Sequence, residues 1–129
     1  MITRIQSTHL YVTDQDRARA FYTEKLGFTV RMDAPMGPDN RWLELAPPGG
    51  GDTSLVLAKP SQEMPDYDLA KSMIGKFATF IFAVDDMNAT HQELSTRGVE
   101  FRDQPSRQDW GWWASIVDPD GNIIGLHAN

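Results

Sequence analysis

The chain has no cysteine, no long apolar run and no excess of basic residues. Without cysteine, disulfides, zinc–thiolate sites and thiol catalysis are excluded. The most apolar stretch, residues 77–84, is too short to span a bilayer, and residues 1–6 lack the apolar core of a signal peptide. We therefore expect a cytoplasmic protein that has no membrane partner.

Basic residues are in deficit: 12 Lys and Arg stand against 18 Asp and Glu, a net charge of −6. Nucleic-acid binding requires a basic face that neutralises phosphates, so we expect no nucleic-acid partner. The acidic balance mildly favours a cationic ligand, although such a charge also simply keeps a protein dispersed. The 129 residues make one domain, long enough to bury a core without covalent staples.

What the sequence does contain is one supersecondary pattern, twice. Residues 9–28 and residues 80–101 each read as a strand, an acidic helix start, a helix closed by glycine and a new strand. With the strands that follow, the order is strand-helix-strand-strand-strand in each copy. We predict a single domain made of module 1 (1–59) and module 2 (76–129), joined by a linker (60–75) that has room for one helical turn.

Local signals mark the ends of the predicted elements. Asp14 and the Asp85-Asp86 pair each stand where a short oxygen-bearing side chain can cap a helix. Gly27 and Gly98 suit the left-handed residue that ends one. Residues 118–121 read Asp-Pro-Asp-Gly, which is typical of a turn between strands.

This order of landmarks resembles the vicinal-oxygen-chelate superfamily, which includes glyoxalase I, bleomycin-resistance proteins, fosfomycin-resistance proteins and extradiol dioxygenases. The pieces that carry the resemblance are Leu10-Tyr11-Val12-Thr13-Asp14, Phe21-Tyr22 with Leu26-Gly27-Phe28, Arg41-Trp42-Leu43-Glu44-Leu45, and Asp118-Pro119-Asp120-Gly121-Asn122. The resemblance implies an α+β fold of two tandem βαβββ modules, glyoxalase/bleomycin-resistance-like, whose curled mixed sheets surround a cup-shaped cavity. It also implies a small-molecule ligand and a homodimer.

Metal-using members of that superfamily place one ligand on the first strand and one on a later strand of each module. Carried over to this chain, the four positions are Ser7, Glu44, Thr79 and Gly125. Only Glu44 is an ordinary ligand, because a hydroxyl binds divalent metals weakly and glycine has no side chain. A catalytic metal needs about three protein ligands. We therefore expect no metal and no other cofactor.

Two histidines complicate this expectation. His9 lies two residues after Ser7, and His127 lies two residues after Gly125, so each shares the strand face of its neighbour. Two residues along a strand are about 7 Å, so neither histidine can serve the usual metal centre. They could define a displaced site together with Glu44, or they could be pocket histidines that exchange hydrogen bonds with a ligand.

Four tryptophans form the other conspicuous group. Trp42 shares strand parity with Glu44, and Trp110 precedes the adjacent pair Trp112 and Trp113, which must face opposite sides of a strand. Tryptophan offers a wide rigid face that suits stacking on flat ligands or cations. Core packing is the ordinary alternative for any one of them.

Two functions are compatible with these residues, and the sequence does not decide whether the protein is an enzyme. The first is a metal-independent protein that binds an aromatic or cationic compound in a tryptophan-lined groove, with six ligand-binding residues: His9, Tyr11, Trp42, Trp110, Trp112 and His127. The second is a glyoxalase-like lyase or isomerase, or a dioxygenase, that uses a displaced His/Glu metal site. In that case Glu44 is the catalytic candidate, as ligand or general base. A non-catalytic partner in a larger assembly is a third hypothesis.

Overall fold

The computed structural model describes all residues from Met1 to Asn129 and has an α+β fold. The chain forms two compact units, Met1–Ile74 and Gly75–Asn129. The first unit contains β1 (Ser7–Tyr11), α1 (Gln15–Ala20), β2 (Thr29–Pro35), β3 (Arg41–Ala46), β4 (Ser54–Ala58) and α2 (Tyr67–Ser72). The second unit contains β5 (Phe77–Ala83), α3 (Met87–Thr96), β6 (Glu100–Gln108), β7 (Gly111–Val117) and β8 (Ile123–Ala128).

Each unit has one four-stranded mixed sheet, and the two sheets have the same topology. The strand order is β1-β4-β3-β2 in the first and β5-β8-β7-β6 in the second. The first strand runs parallel to the last, and the other neighbours are antiparallel. Neither sheet closes into a barrel. The predicted fold class of two tandem βαβββ modules is thus confirmed.

The helix boundaries follow the capping signals. The Asp14 carboxylate accepts a hydrogen bond from the Arg17 backbone N–H at 3.0 Å, and the hydrogen bond from Arg17 holds the pKa of Asp14 below its ordinary value. The Asp86 carboxylate caps α3 in the same way. Gly27 and Gly98 have φ angles of 82° and 84°, in the left-handed region that glycine tolerates.

The end of α1 was not predicted in detail. The helix continues as a π-helical segment, Phe21–Lys25, which buries Phe21 and Tyr22. The wider turn carries one extra residue per helical repeat, and neither residue pattern nor capping signals this local change. The Tyr22 ring makes edge-to-face contacts with Phe21 and Phe28, which places it within the core.

One face of each sheet carries the apolar core. In the first unit this face buries Leu43, Leu45, Leu55 and Leu57; in the second it buries Ala114, Ile116, Ile124 and Leu126. Side chains alternate along a strand, so the residues between these face the other way. We call that opposite side of each sheet the pocket face. It carries His9, Trp42, Glu44 and Ser54 in the first unit and Trp113, Ser115, Gly125 and His127 in the second.

Several boundaries differ from the sequence-based prediction. Residues 60–75, predicted as a linker, contain α2 and belong to the first unit as far as Ile74. The sequence predicts a strand over residues 99–102, but β6 runs to Gln108 and includes Pro105. The strand tolerates proline because it is an edge strand that pairs only with β7. No helix has the length and apolar character needed to cross a membrane.

Candidate ligand-binding surfaces

Glu44 lies at the centre of a hydrogen-bonded chain on the pocket face of the first unit. Its Oε1 accepts a hydrogen bond from Trp42 Nε1 at 3.0 Å, and its Oε2 accepts one from Ser54 Oγ at 2.7 Å. Ser54 in turn accepts a hydrogen bond from Arg31 Nη1 at 2.7 Å. The parity argument that paired Trp42 with Glu44 agrees with this contact. The carboxylate therefore fixes the edge of the Trp42 indole.

These contacts determine the charge state of Glu44. The hydrogen bond from Ser54 is the main cause that holds its pKa below the ordinary value, followed by the hydrogen bond from Trp42. The positive charges of Arg31 and Arg4 act in the same direction, whereas partial burial opposes them. Glu44 is ionised at neutral pH. A general base works best with a pKa near the operating pH, so this environment suits holding a neighbour in place better than proton transfer.

His9 completes an aromatic corner beside Trp42. The two rings meet edge to face with centroids 5.7 Å apart, and Ser7 Oγ lies 3.2 Å from His9 Nε2. His9 is exposed, and Tyr11, two residues further along β1, is half-buried. The structure thus brings the predicted residues His9, Trp42 and Glu44 together, and Tyr11 lies on the same strand face as His9.

On the pocket face of the second unit, the Trp113 ring packs against the backbone of Gly125. A Cβ added to Gly125 would lie 2.2 Å from Trp113 Cη2, 2.8 Å from Cζ2 and 3.0 Å from Cζ3. The indole therefore lies directly on the backbone of Gly125, in the space where any side chain at that position would begin. Trp113 is also the cross-strand partner of His127.

Trp110 and His127 complete a platform of three rings, which we call the aromatic platform: Trp110, Trp113 and His127. The Trp110 and His127 rings stack at 23° with centroids 5.8 Å apart, and Trp110 meets Trp113 edge to face at 6.0 Å. His127 Nε2 lies 3.1 Å from the Trp110 carbonyl oxygen. Trp110 is 58% exposed, a large value for a tryptophan already in contact with two rings.

Trp112 is separated from this platform. It precedes Trp113 on β7 and so points to the opposite side of the sheet, where the Arg107 guanidinium lies 5.9 Å from its ring centroid. The predicted residues Trp110 and His127 are brought together, but Trp112 is not part of that group. The sequence left open which tryptophan of the adjacent pair faces the pocket side, and the structure places Trp113 there.

The strand register shows which positions of the two modules are equivalent. His9 and Ile81 each lie five residues before the capping aspartate, and they pair with Val56 and Gly125 respectively. The next cross-strand partners are Glu44 and Ser115. Glu44 is therefore the counterpart of Ser115, and the counterpart of Gly125 is Val56.

This register changes which residue of the first module stands at the later-strand metal-ligand position. The sequence comparison placed Glu44 as the equivalent of Gly125, but that place belongs to Val56, whose side chain is apolar and buried. The four positions then hold Ser7, Val56, Thr79 and Gly125, none of which offers an imidazole or a carboxylate. Neither unit groups three or more His, Asp or Glu side chains in an arrangement that could hold a metal ion.

Two pockets of the first unit were not predicted from the sequence. A pocket of about 430 Å³ adjoins Glu44 and is lined by Arg4, Gln6, Arg31, Glu44, Gly51, Asp52 and Ser54. A larger depression of about 780 Å³ lies near the start of α1, and its charged groups Asp33 and Arg41 form an ion pair with each other at 3.1 Å. No periodic signal marks either place, because the lining residues come from distant parts of the sequence.

The fold and the platform define a class: a βαβββ-module protein that presents aromatic and hydrogen-bonding side chains on its sheet faces. The family model of the Glyoxalase/Bleomycin resistance protein/Dioxygenase superfamily matches residues 4–126. The chain belongs to this superfamily.

Individual relatives agree with this membership. The uncharacterized protein YetH of Bacillus subtilis (strain 168) is 38% identical over 126 residues, which cover 98% of each chain. The crystal structure of TnmS3, an antibiotic binding protein from Streptomyces sp. CB03234, is similar with a TM-score of 0.80 and 38% identity over 98% of this chain and 96% of that one. A superfamily member from Sphaerobacter thermophilus DSM 20745 has a TM-score of 0.86 at 29% identity, with 99% and 98% of the two chains covered.

Proposed function

We propose that this protein binds a planar aromatic small molecule without using a metal ion. The observation that carries the proposal is the packing of the Trp113 indole against the backbone of Gly125. At the position where metal-using relatives would carry a ligand, this chain has no side chain, and an indole ring fills the space. A flat ring surface takes the place of a coordinating group.

The exposure of the platform supports the same function. Trp110 is held by stacking on His127, yet more than half of it remains accessible. Aromatic rings attract other rings in offset or edge-to-face contact, a gain of about 0.5–1.5 kcal/mol beyond the area that they bury. TnmS3, at 38% identity, is an antibiotic binding protein, which is consistent with small-molecule binding by this chain.

On this proposal Glu44 is a positioning residue. It holds Trp42 through one oxygen and Ser54 through the other, so the Trp42–His9 corner keeps a fixed geometry. A role for Glu44 as metal ligand would require further ligands, and neither unit groups three or more His, Asp or Glu side chains that could hold a metal ion. The homodimer and the cytoplasmic location expected from the sequence stay predictions.

A binding screen with paired variants tests the proposal. Purified protein is titrated with planar aromatic probes such as 9,10-anthraquinone-2-carboxamide, and binding is measured by tryptophan quenching and calorimetry. We expect Trp113→Ala and Trp110→Ala to weaken binding at least about tenfold, because each removes a ring contact together with buried area. Trp112→Ala is the matched control, since it removes the same side chain from the opposite face of the strand.

Metal dependence is tested on the same samples. We expect binding to persist after treatment with a chelator and elemental analysis to find no stoichiometric divalent metal. A metal that co-purifies at one equivalent and is lost in Glu44→Ala would contradict the metal-independent function and favour the lyase or dioxygenase hypothesis. Loss of binding in Trp112→Ala equal to that in Trp113→Ala would show that the platform is not the site.

A further inference from the structure

The polar pocket beside Glu44 has a charge arrangement that the proposed function does not use. Its cations are Arg4 and Arg31, and its carboxylates are Glu44 and Asp52. The hydrogen bonds of these groups decide which of them remains available to a ligand.

Of the two carboxylates of the pocket, Glu44 has both oxygens engaged, and Asp52 is exposed to solvent. Each oxygen of Glu44 accepts one hydrogen bond, from Trp42 and from Ser54. Ser54 is buried, and a hydroxyl has a single proton, which here goes to Glu44. Ser54 therefore has no proton left for a ligand. A cationic ligand would have to compete with donors that Glu44 already holds at 3.0 Å or less.

The donors of the pocket are only partly engaged. Arg31 donates through Nη1 to Ser54 and through Nη2 to the Gly51 carbonyl, and Arg4 donates through Nη1 to the Asp52 carbonyl. A guanidinium has five N–H donors, so each arginine has further N–H groups that can donate to a ligand. Neither arginine forms an ion pair with a carboxylate within 4.0 Å.

This lack of ion pairs is informative in a chain with six more acidic than basic side chains. Arg19, Arg41 and Arg97 each pair with an aspartate or glutamate. The two arginines that line one pocket do not, although Asp52 is beside Arg4 and offers its backbone carbonyl. Glu44 is within electrostatic range of both, but the Ser54 hydroxyl stands between it and Arg31.

We propose that this pocket binds the carboxylate of an aromatic acid, with Arg4 and Arg31 as its hydrogen-bond donors. Arginine matches the planar, two-oxygen geometry of a carboxylate. Trp42, which shares the Glu44 carboxylate with this pocket, provides the ring surface next to it. The inference rests on the proposed function, from which it takes the aromatic class of the ligand, and it concerns the surface of the first unit alone. It replaces the cationic ligand that the net charge had favoured.

The test compares two probes of the same shape that differ in charge. Naphthalene-2-carboxylate and naphthalene-2-carboxamide are titrated into the protein by calorimetry at low salt and neutral pH. We expect the carboxylate to bind roughly tenfold or more tightly than the amide, the effect of about one charge-assisted contact. We expect Arg4→Gln and Arg31→Gln each to lower this ratio and the double variant to bring it close to one.

Arg97→Gln is the control, because it removes an equal charge from the ion pair with Glu93 on α3, outside the pocket. The ratio is measured within each variant, so a partly unfolded preparation does not distort it. If Arg31→Gln fails to fold, Arg4→Gln decides, since the one hydrogen bond of its side chain goes to a backbone carbonyl. Equal binding of both probes by the unmodified protein, or an unchanged ratio in the double variant, overturns this inference and leaves the proposed function standing. Failure of both probes to bind overturns this inference, and it overturns the proposed function as well if the planar probes of the binding screen also fail.

Discussion

The substitution Gly125→Ala is the sharpest perturbation that the structure offers. The new methyl carbon would lie 2.2 Å from Trp113 Cη2, whereas carbon atoms rest in contact at about 3.5–4.0 Å. The ring must therefore withdraw by roughly 1.3 Å or more. Gly125 does not have a positive φ, so backbone strain contributes nothing and the effect isolates the displacement of the indole.

Two consequences are expected. Overfilling a packed position costs about 1–3 kcal/mol of unfolding free energy, which lowers Tm by several degrees for a chain of this size. The displaced ring also leaves its edge-to-face contact with Trp110 at 6.0 Å, so the near-ultraviolet circular dichroism of the tryptophans changes. Affinity for a planar aromatic probe falls about tenfold, since the platform loses its flat geometry.

Gly49→Ala is the matched control. Gly49 also lacks a positive φ, and a Cβ there meets nothing within 4 Å, so the same methyl group is added to open space. We expect its Tm, dichroism and affinity to equal those of the unmodified protein. If Gly125→Ala keeps all three values as well, Trp113 does not occupy the Gly125 position, and the argument for an aromatic platform in place of a metal ligand is refuted.

Two further substitutions test the hydrogen-bonded groups. Because the pKa of Glu44 is lowered in the folded protein, its stabilisation is present above the ordinary glutamate pKa of about 4.3 and is lost as pH falls through the lower folded-state pKa. Glu44→Gln should thus cost about 1 kcal/mol at pH 7, after allowance for its partial exposure, and progressively less below pH ~4 in urea titrations; a difference that grows on acidification would contradict this sign. Asn122, fully buried, donates to Asp118 and accepts from the Gly75 N–H, so Asn122→Ala should cost about 2–3 kcal/mol in the same assay. The exposed Asn88→Ala on α3 should cost less than about 0.5 kcal/mol, and equal losses at the two asparagines would show that the turn network is not stabilising.

The fold could be predicted from sequence because its signals are local. Capping aspartates, glycines with positive φ and strand alternation act over a few residues, and each is repeated in the second module. The sequence predicts a strand over residues 41–46, which are the bounds of β3, because turn residues flank this stretch on both sides. The π-helical segment was missed, since it reflects packing of Phe21 and Tyr22 and not a local preference.

The candidate site was predicted only where strand parity suffices. Parity alone brought Trp42 to Glu44, two residues apart on one strand. It could not choose between Trp112 and Trp113, because that choice depends on which face of β7 packs on the core. The pocket arginines could not be predicted from the sequence for a related reason. Arg31 donates to the Ser54 hydroxyl, 23 residues away, and no spacing rule connects such positions.

The equivalence of Trp42 and Trp113, which precede Glu44 and Ser115 by two residues, has a consequence for how the two modules respond to their surroundings. One indole is held by a carboxylate, and the other rests on the bare backbone of a glycine. Acidification can release the first by protonating its anchor, whereas the second has no proton to gain and responds only to volume. The duplicated position has thus become one contact that only strong acid, below pH ~4, can release and one whose seat on a glycine backbone contains no titratable group.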